Sequence, residues 1–308
     1  MEQLAITSNT HTPIATDDFK ARADRVFDLL DVNESTREDY KQRIGFFLNF
    51  VKDKEFNFNI FLEYKQYLTG RTDFSVSTKN KYLITARIFL KELNRCGLLT
   101  SDITQNIKAF KQSKKHKREG LNDAEIKILT EKMRQLPSTP QNTRLKAILS
   151  LLALQGLRQI EVVRLDVQDV DFVNKTALIR GKGMDDKERI YLHPETAREL
   201  KDYMQTNKVA DGALFTSKSN RGGNRRLTTR ALRWIVKKTL KGLGIEKTTH
   251  GFRHYFTSTL IKEYKGDLLE VARYTRHKSL EMLQVYNDNI ENQADLPRFY
   301  ETFKEVVF

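Results

Sequence analysis

Apolar residues recur at three- and four-residue spacing through most of the first hundred positions, the period of helices with one buried face. Phe19, Val26, Phe27, Leu29 and Leu30 outline a first helix from Asp17, and Tyr40, Ile44, Phe47, Leu48 and Val51 a second. Ser35, followed three residues on by Glu38, predicts the capping box of that second helix. A third runs from Ile60 to Leu68 and ends at Gly70. Ser77 opens a fourth through Tyr82, Ile84, Ala86, Ile88, Phe89, Leu90 and Leu93, stopped by Gly97. Four helices on short connections predict a compact bundle. Residues 1–16, rich in Thr, Ser and Asn with Pro13, predict a flexible N-terminus.

The pattern then breaks. Lys108 to Arg118 holds no acid and no apolar period, so it predicts a basic linker able to strap a phosphate backbone. Beyond it, Asn122 with Glu125 caps a helix to about Gln135. Pro137 and Pro140 interrupt, and another apolar helix spans Arg144 to Gln155. Gly156 to Leu165 predicts a turn into a short helix. Val170 and Phe172, then Ala177 to Ile179, then Arg189 to Leu192, predict strands, with Leu214-Phe215 a further brief one. Helices follow over Pro194 to Met204, Thr228 to Lys241 and from Thr248. The segments are a flexible N-terminus at 1–16, a helical core-binding domain at 17–107, a basic linker at 108–120, and a catalytic domain with a C-terminal helix at 121–308. From Gln293 to Phe308 the apolar positions Leu296, Phe299, Tyr300, Phe303, Val306 and Val307 predict that last helix.

Composition sharpens this outline. The 308 residues suit two domains, and 39% hydrophobic residues suffice for real cores. A formal net charge of +14 favours a polyanionic partner, of which nucleic acid is the commonest. The single cysteine, Cys96, excludes an internal disulfide and a cysteine-rich metal site, and reads as a small core residue. No signal-peptide pattern or membrane-length apolar run is present, which predicts a cytoplasmic protein without a membrane partner.

The chemistry gathers late in the chain. His250 and Arg253 lie three apart on a predicted helix, His277 follows, and Tyr286 comes nine residues after it. Positions three apart share a helix face, so His250 and Arg253 can address one target. Displacing a phosphodiester with a tyrosine requires holding the phosphate, stabilising its oxygens, removing the phenol proton and protonating the leaving oxygen. Guanidinium forks suit the first two tasks, with Arg158 and Arg253 the candidates. Lys182, between two glycines on a predicted hairpin, suits the last as a general acid, and His250 and His277 suit proton transfer or phosphate hydrogen bonds. Taken singly, Tyr286 reads as a core tyrosine, Lys182 as a solvated turn lysine and Glu161 as an ordinary helix-start acid. His254 reads as a packing or solvent-facing neighbour, His116 and His193 as surface residues, and His11 as disordered.

Together these elements, Arg158 with Glu161, Lys182, His250-x-x-Arg253, His277 and Tyr286, resemble the tyrosine recombinase (phage-integrase) family, and the short chain leans towards its simpler Xer-like or integron-like members. The resemblance implies a mainly α fold with a small antiparallel β-sheet, a SAM-like helical core-binding domain and a catalytic domain forming a clamp on duplex DNA. It implies a site-specific recombinase that cuts and rejoins strands through a 3′-phosphotyrosyl intermediate, in integration, excision or resolution. Tyr286 would attack, Arg158 and Arg253 would clamp the phosphate with His277 as a third donor, and Lys182 would protonate the leaving 5′ oxygen. His250 would serve in acid–base or hydrogen-bonding duty, and Glu161 would orient Arg158 or His250. No cofactor or metal is implied, because the covalent link preserves the phosphodiester bond energy. Partners would be a specific duplex site, sister copies in a tetramer on two sites, and in some members a second recombinase.

Three positions depart from the family pattern. Arg276 stands where glycine is usual, Gln155 replaces a common threonine, and Ile160 a small residue. For DNA contact the candidates are Lys79, Arg87, Lys114, Lys115, Lys117, Arg118, Arg230 and Arg233, although a solvated face accounts for any one of them. Two rival readings share most of this pattern: an architectural DNA-binding relative without the reaction, and a type IB topoisomerase-like enzyme that reseals without exchange.

Overall fold

The computed structural model describes residues 25–302 and 304, apart from 53, 55–56, 114–119, 182, 218–224 and 278. The chain divides into two compact units, Met1–Ser113 and Lys114–Phe308. In the first, α1 (Glu34–Val51), α2 (Ile60–Gly70) and α3 (Val76–Arg95) pack around Phe27, Phe47, Phe61, Tyr64 and Phe89, all fully buried. Of the helix predicted from Asp17, the described part is the turn at 25–28.

Two predicted starts are displaced. Asn33, not Ser35, caps α1, its side chain accepting from the Thr36 N–H at 3.0 Å. Ser75, not Ser77, caps α3 by accepting from Thr78 N–H. In each case the residue with extended backbone just before the first helical turn takes the duty, whatever cap-forming residues follow it. Cys96 is the exposed C-cap residue of α3 rather than a core residue. The segment leading out of this unit is stitched to α3. Asn80 both donates to the Phe110 carbonyl at 3.0 Å and accepts from its N–H at 2.9 Å, and Arg87 donates to the Ile107 carbonyl.

The second unit is built on one large core, with Leu151, Leu152, Leu157, Val162, Leu200, Phe215, Leu232 and Phe252 among its buried members. Around it stand α4 (Asp123–Gln135), α5 (Pro140–Ala153), α6 (Gln159–Arg164), α7 (Pro194–Asn207), α8 (Thr229–Lys241) and α9 (Thr249–Glu263). Asn122 and Glu125 close the capping box of α4 with bonds of 2.8 and 2.9 Å. Strands β1 (Val170–Asp171), β2 (Thr176–Arg180) and β3 (Lys187–Tyr191) form an antiparallel sheet in that order, with Ala177 opposite Ile190 and Arg180 opposite Lys187. Leu214 and Phe215 form no strand. The chain there makes isolated bridges, Asp166 to Ala213 and Thr216 to Arg226.

A satellite cluster of Ile261, Val271 and Leu283 joins α9, α10 (Leu268–Thr275) and α11 (Leu280–Thr302). The C-terminal helix therefore starts well before Gln293, and it carries Tyr286. Its Leu296, Phe299 and Tyr300 are exposed, while Phe303, Val306 and Val307 lie outside the described residues.

Gly156 ends the run from α5 in a left-handed turn at φ 57°. A Cβ there would stand 2.3 Å from Phe256 Cδ1, inside contact distance. Gly156→Ala should therefore destabilise the chain by about 2–4 kcal/mol through overpacking plus left-handed strain. Urea unfolding of the variant beside the parent measures it, and a loss under about 0.5 kcal/mol, the size of an ordinary surface substitution, would contradict this packing.

Candidate active site

Two turns converge on Arg253 of α9. Gly156 frees the backbone to deliver Leu157 into the core and Arg158 to the mouth of α6. The Glu161 side chain, 1% exposed, reaches back to accept from the Arg158 N–H and guanidinium, both at 2.8 Å. Arg158 itself keeps 34% of its side-chain surface in solvent.

Arg253 lies deeper. It is 3% exposed and donates to the Gly156 carbonyl at 2.7 Å and to the Thr275 carbonyl. One carbonyl precedes Leu157-Arg158, the other precedes Arg276-His277, so one guanidinium joins the two turns. Burial, with Arg158 and Arg276 close by, pushes its pKa down to about 10, which still leaves it charged at neutral pH. The Glu161 carboxyl is pushed up by burial but held lower overall by Arg276 and Arg158, and stays below the ordinary carboxylate value.

The α10–α11 turn supplies the rest. His277 Nδ1 lies 2.7 Å from Thr275 Oγ1, and its ring centre is 6.4 Å from that of Tyr286. The Tyr286 hydroxyl is 2.5 Å from Nδ1 of His254, a residue 7% exposed. Of the two readings of His254, packing or facing solvent, the structure shows packing, and the surface it packs against is the tyrosine. The signal was its place one turn beyond His250 and next to Arg253, but the partner comes from a helix 32 residues on. His250 is exposed in the first turn of α9, its ring edge-on to His254 at 5.1 Å. It does not share the buried direction of Arg253. Chain geometry is tight here too, since a Cβ on Gly120 would stand 2.8 Å from the His254 Cβ.

Lys182 lies outside the described residues. The hairpin that flanks it is anchored at its base by Arg164, which donates to the Gly181 carbonyl at 3.0 Å. Lys114, Lys115, Lys117 and Arg118 also lie outside. Arg230 and Arg233 are exposed on α8, with Arg233 donating to Gln159 Oε1 at 3.4 Å, next to Arg158. Lys79 donates to the Thr69 carbonyl, and Arg87 is half-buried, stacked over Phe61. Gln155, at one departure from the family pattern, is buried and donates to Thr196 Oγ1 at 3.3 Å. Among the described residues no group of His, Cys, Asp or Glu could hold a metal ion, and no helix is long and apolar enough to cross a membrane.

Burial pushes the Tyr286 phenol up to about 12, a rise that the Arg253 charge opposes. The phenol is therefore protonated across the neutral range and needs a base to become a nucleophile. The sign for stability follows. The folded value lies above the unfolded ~10, so the contribution is whole below pH ~10 and is lost as pH climbs from there through about 12. A chain with Tyr286→Phe should lose less stability than the parent over that window. Denaturation at stepped alkaline pH measures the difference, and parallel curves would count against the raised phenol.

The second unit of this mainly helical chain thus holds a tyrosine hydrogen-bonded to an imidazole near the buried Arg253, and a buried glutamate paired with Arg158 and Arg276. The phage integrase family model matches residues 119–293. The chain is 27% identical over 217 residues to tyrosine recombinase XerC of Lactobacillus delbrueckii subsp. bulgaricus, covering 68% of this chain and 71% of that one. It is 29% identical over 210 residues to tyrosine recombinase XerA of Pyrococcus horikoshii, covering 64% and 73%. Among solved structures, XerH site-specific recombinase bound to a palindromic difH substrate superposes with a TM-score of 0.72 at 18% identity, over 94% of this chain and 90% of that one. At that identity the likeness establishes the fold. The chain belongs to the phage integrase family of tyrosine recombinases.

Proposed function

We propose that the chain is a site-specific DNA recombinase whose nucleophile is Tyr286. The observation that carries the assignment to this residue is its hydroxyl, 2.5 Å from a buried imidazole in the pocket of Arg253. His254 accepts the phenol proton at Nδ1 as the tyrosine oxygen bonds to phosphorus. The bond from phosphorus to the 5′ oxygen breaks, and Lys182 protonates that oxygen. The protein is left joined to the 3′ phosphate. The reverse sequence, with the 5′ hydroxyl of the other duplex attacking, releases Tyr286 and completes the exchange.

Arg158 and Arg253 meet the non-bridging oxygens, where charge builds as the new bond forms. His277, fixed by Thr275, supplies a third donor. His250, edge-on to His254, keeps that ring oriented and offers a hydrogen bond of its own. Glu161 orients Arg158. Duplex DNA is the substrate, and the linker lysines with Arg118, Arg230, Arg233, Lys79 and Arg87 are proposed backbone contacts, an electrostatic share that salt weakens. The working assembly is proposed as four copies on two sites, in the cytoplasm, with a second recombinase where cutting by one chain alone is slow. The domain limits proposed for this activity are 17–107 for core binding and 121–308 for catalysis.

The test is a covalent trap. Fragments of the source genome are mixed with the chain, quenched in detergent and digested with protease, and ends bearing a peptide are sequenced. Adducts at discrete sites, with the peptide mapping to 280–302, are expected. DNA binding without any adduct would reduce the reading to a binding protein.

A further inference from the structure

Arg276 is built into the site in an unusual way. It ends α10 at φ 55°, ψ 42°, a left-handed backbone disfavoured for any residue with a Cβ. Its side chain is only 7% exposed, and it donates to Glu161 Oε2 at 3.2 Å and to the Tyr274 carbonyl at 3.2 Å. Glu161 thus sits between two guanidiniums, the buried one of Arg276 and the half-open one of Arg158. A buried carboxylate facing Arg158 alone would cancel its charge, and the pair would offer a phosphate little attraction. With Arg276 present the trio carries one net positive charge, and the group open to solvent is Arg158.

We propose that Arg276 is a positioning residue: it neutralises Glu161 from the protein side, so that Arg158 is held by the glutamate yet meets the scissile phosphate with its charge uncompensated. This rests on the reading of the pocket as a phosphodiester site. Arg276 acts through Glu161 and Arg158 and does not itself touch the DNA. Its bond to Glu161, 115 residues away in the chain, also ties the turn of His277 to the helix that Arg158 opens.

The 308-residue chain is used, with Arg276→Gly, Arg276→Lys, Glu161→Gln and the Glu161→Gln/Arg276→Gly double variant. Glycine accepts the left-handed turn freely, so loss of fold is not expected. On a nicked suicide substrate carrying a trapped site, R276G should form the Tyr286 adduct roughly 10–100-fold more slowly in single turnover, with DNA affinity within about threefold of the parent. R276K should recover part of the rate. In the E161Q background, where no carboxylate charge remains to be offset, the same glycine change should have little effect. Parental cutting by R276G, or a loss that simply multiplies with that of E161Q, overturns the proposal. If the parent forms no adduct, the recombinase reading falls. The charge arrangement is then judged by calorimetric titration with inorganic phosphate, where R276G should bind about tenfold more weakly and equal binding overturns it.

Discussion

Tyr286→Phe forms no covalent adduct, while its affinity for duplex DNA stays within about twofold of the parent, a change worth less than about 0.5 kcal/mol. The phenol oxygen is the one atom removed. The ring remains packed with Ile261, Val271 and Leu283, so α11 keeps its seat. The lost hydrogen bond to His254 should cost about 0.5–1.5 kcal/mol of stability, too little to unfold the unit. Detergent-resistant protein–DNA complexes on a nicked substrate give the readout. Residual adduct in this variant would mean that another residue attacks. His254→Ala makes the instructive companion. It keeps the nucleophile but removes the group that takes its proton, so cutting should fall by about 10²–10⁴-fold without vanishing. It should also recover towards high pH, as more of the phenol ionises unaided.

Arg253→Ala should be the more damaging change to the molecule as a whole. Cutting should drop by at least about 10²–10³-fold from loss of charge stabilisation alone. A second loss adds to it, because the same guanidinium satisfies the buried carbonyls of Gly156 and Thr275. Stranding them costs about 1–3 kcal/mol each and frees the two turns that carry Arg158 and His277. Arg253→Lys separates the effects. An ammonium keeps the charge but cannot span both carbonyls with a planar fork, so partial stability and poor cutting are expected. Single-turnover rates beside urea unfolding curves measure both. A lysine variant cutting at the parental rate would show that charge suffices and the bridging geometry does not matter.

Much of this architecture could be read from the chain, because its signals are local. The apolar spacing of α1, α2 and α3, the Asn122–Glu125 box and the alternation in β2 are each decided within a few residues. The same locality explains the slips at Asn33 and Ser75, where adjacent cap-forming residues compete and only the backbone turn decides. The positions of Arg158, Arg253, His277 and Tyr286 around one place rested on a family resemblance. Nothing local brings Gly156, Thr275 and Arg253 together. His254 was missed for that reason: whether a histidine on α9 packs, faces water or meets a phenol is decided by where α11 crosses it. Arg276 was legible as a departure, but its meeting with Glu161 depends on a contact spanning 115 positions.

The hydrogen bond between His254 and Tyr286 has a bearing on how copies of the chain cooperate. Tyr286 and His254, the proposed nucleophile and base, belong to one polypeptide, on helices fastened by a shared apolar cluster. If Tyr286 attacks and His254 takes its proton, each copy is expected to cut with its own tyrosine and to borrow none from a neighbour. Mixing a Tyr286-deficient chain with an Arg253-deficient chain offers no complementation, since neither can lend its intact half. In a mixed assembly, the strands that are cut count the undamaged subunits.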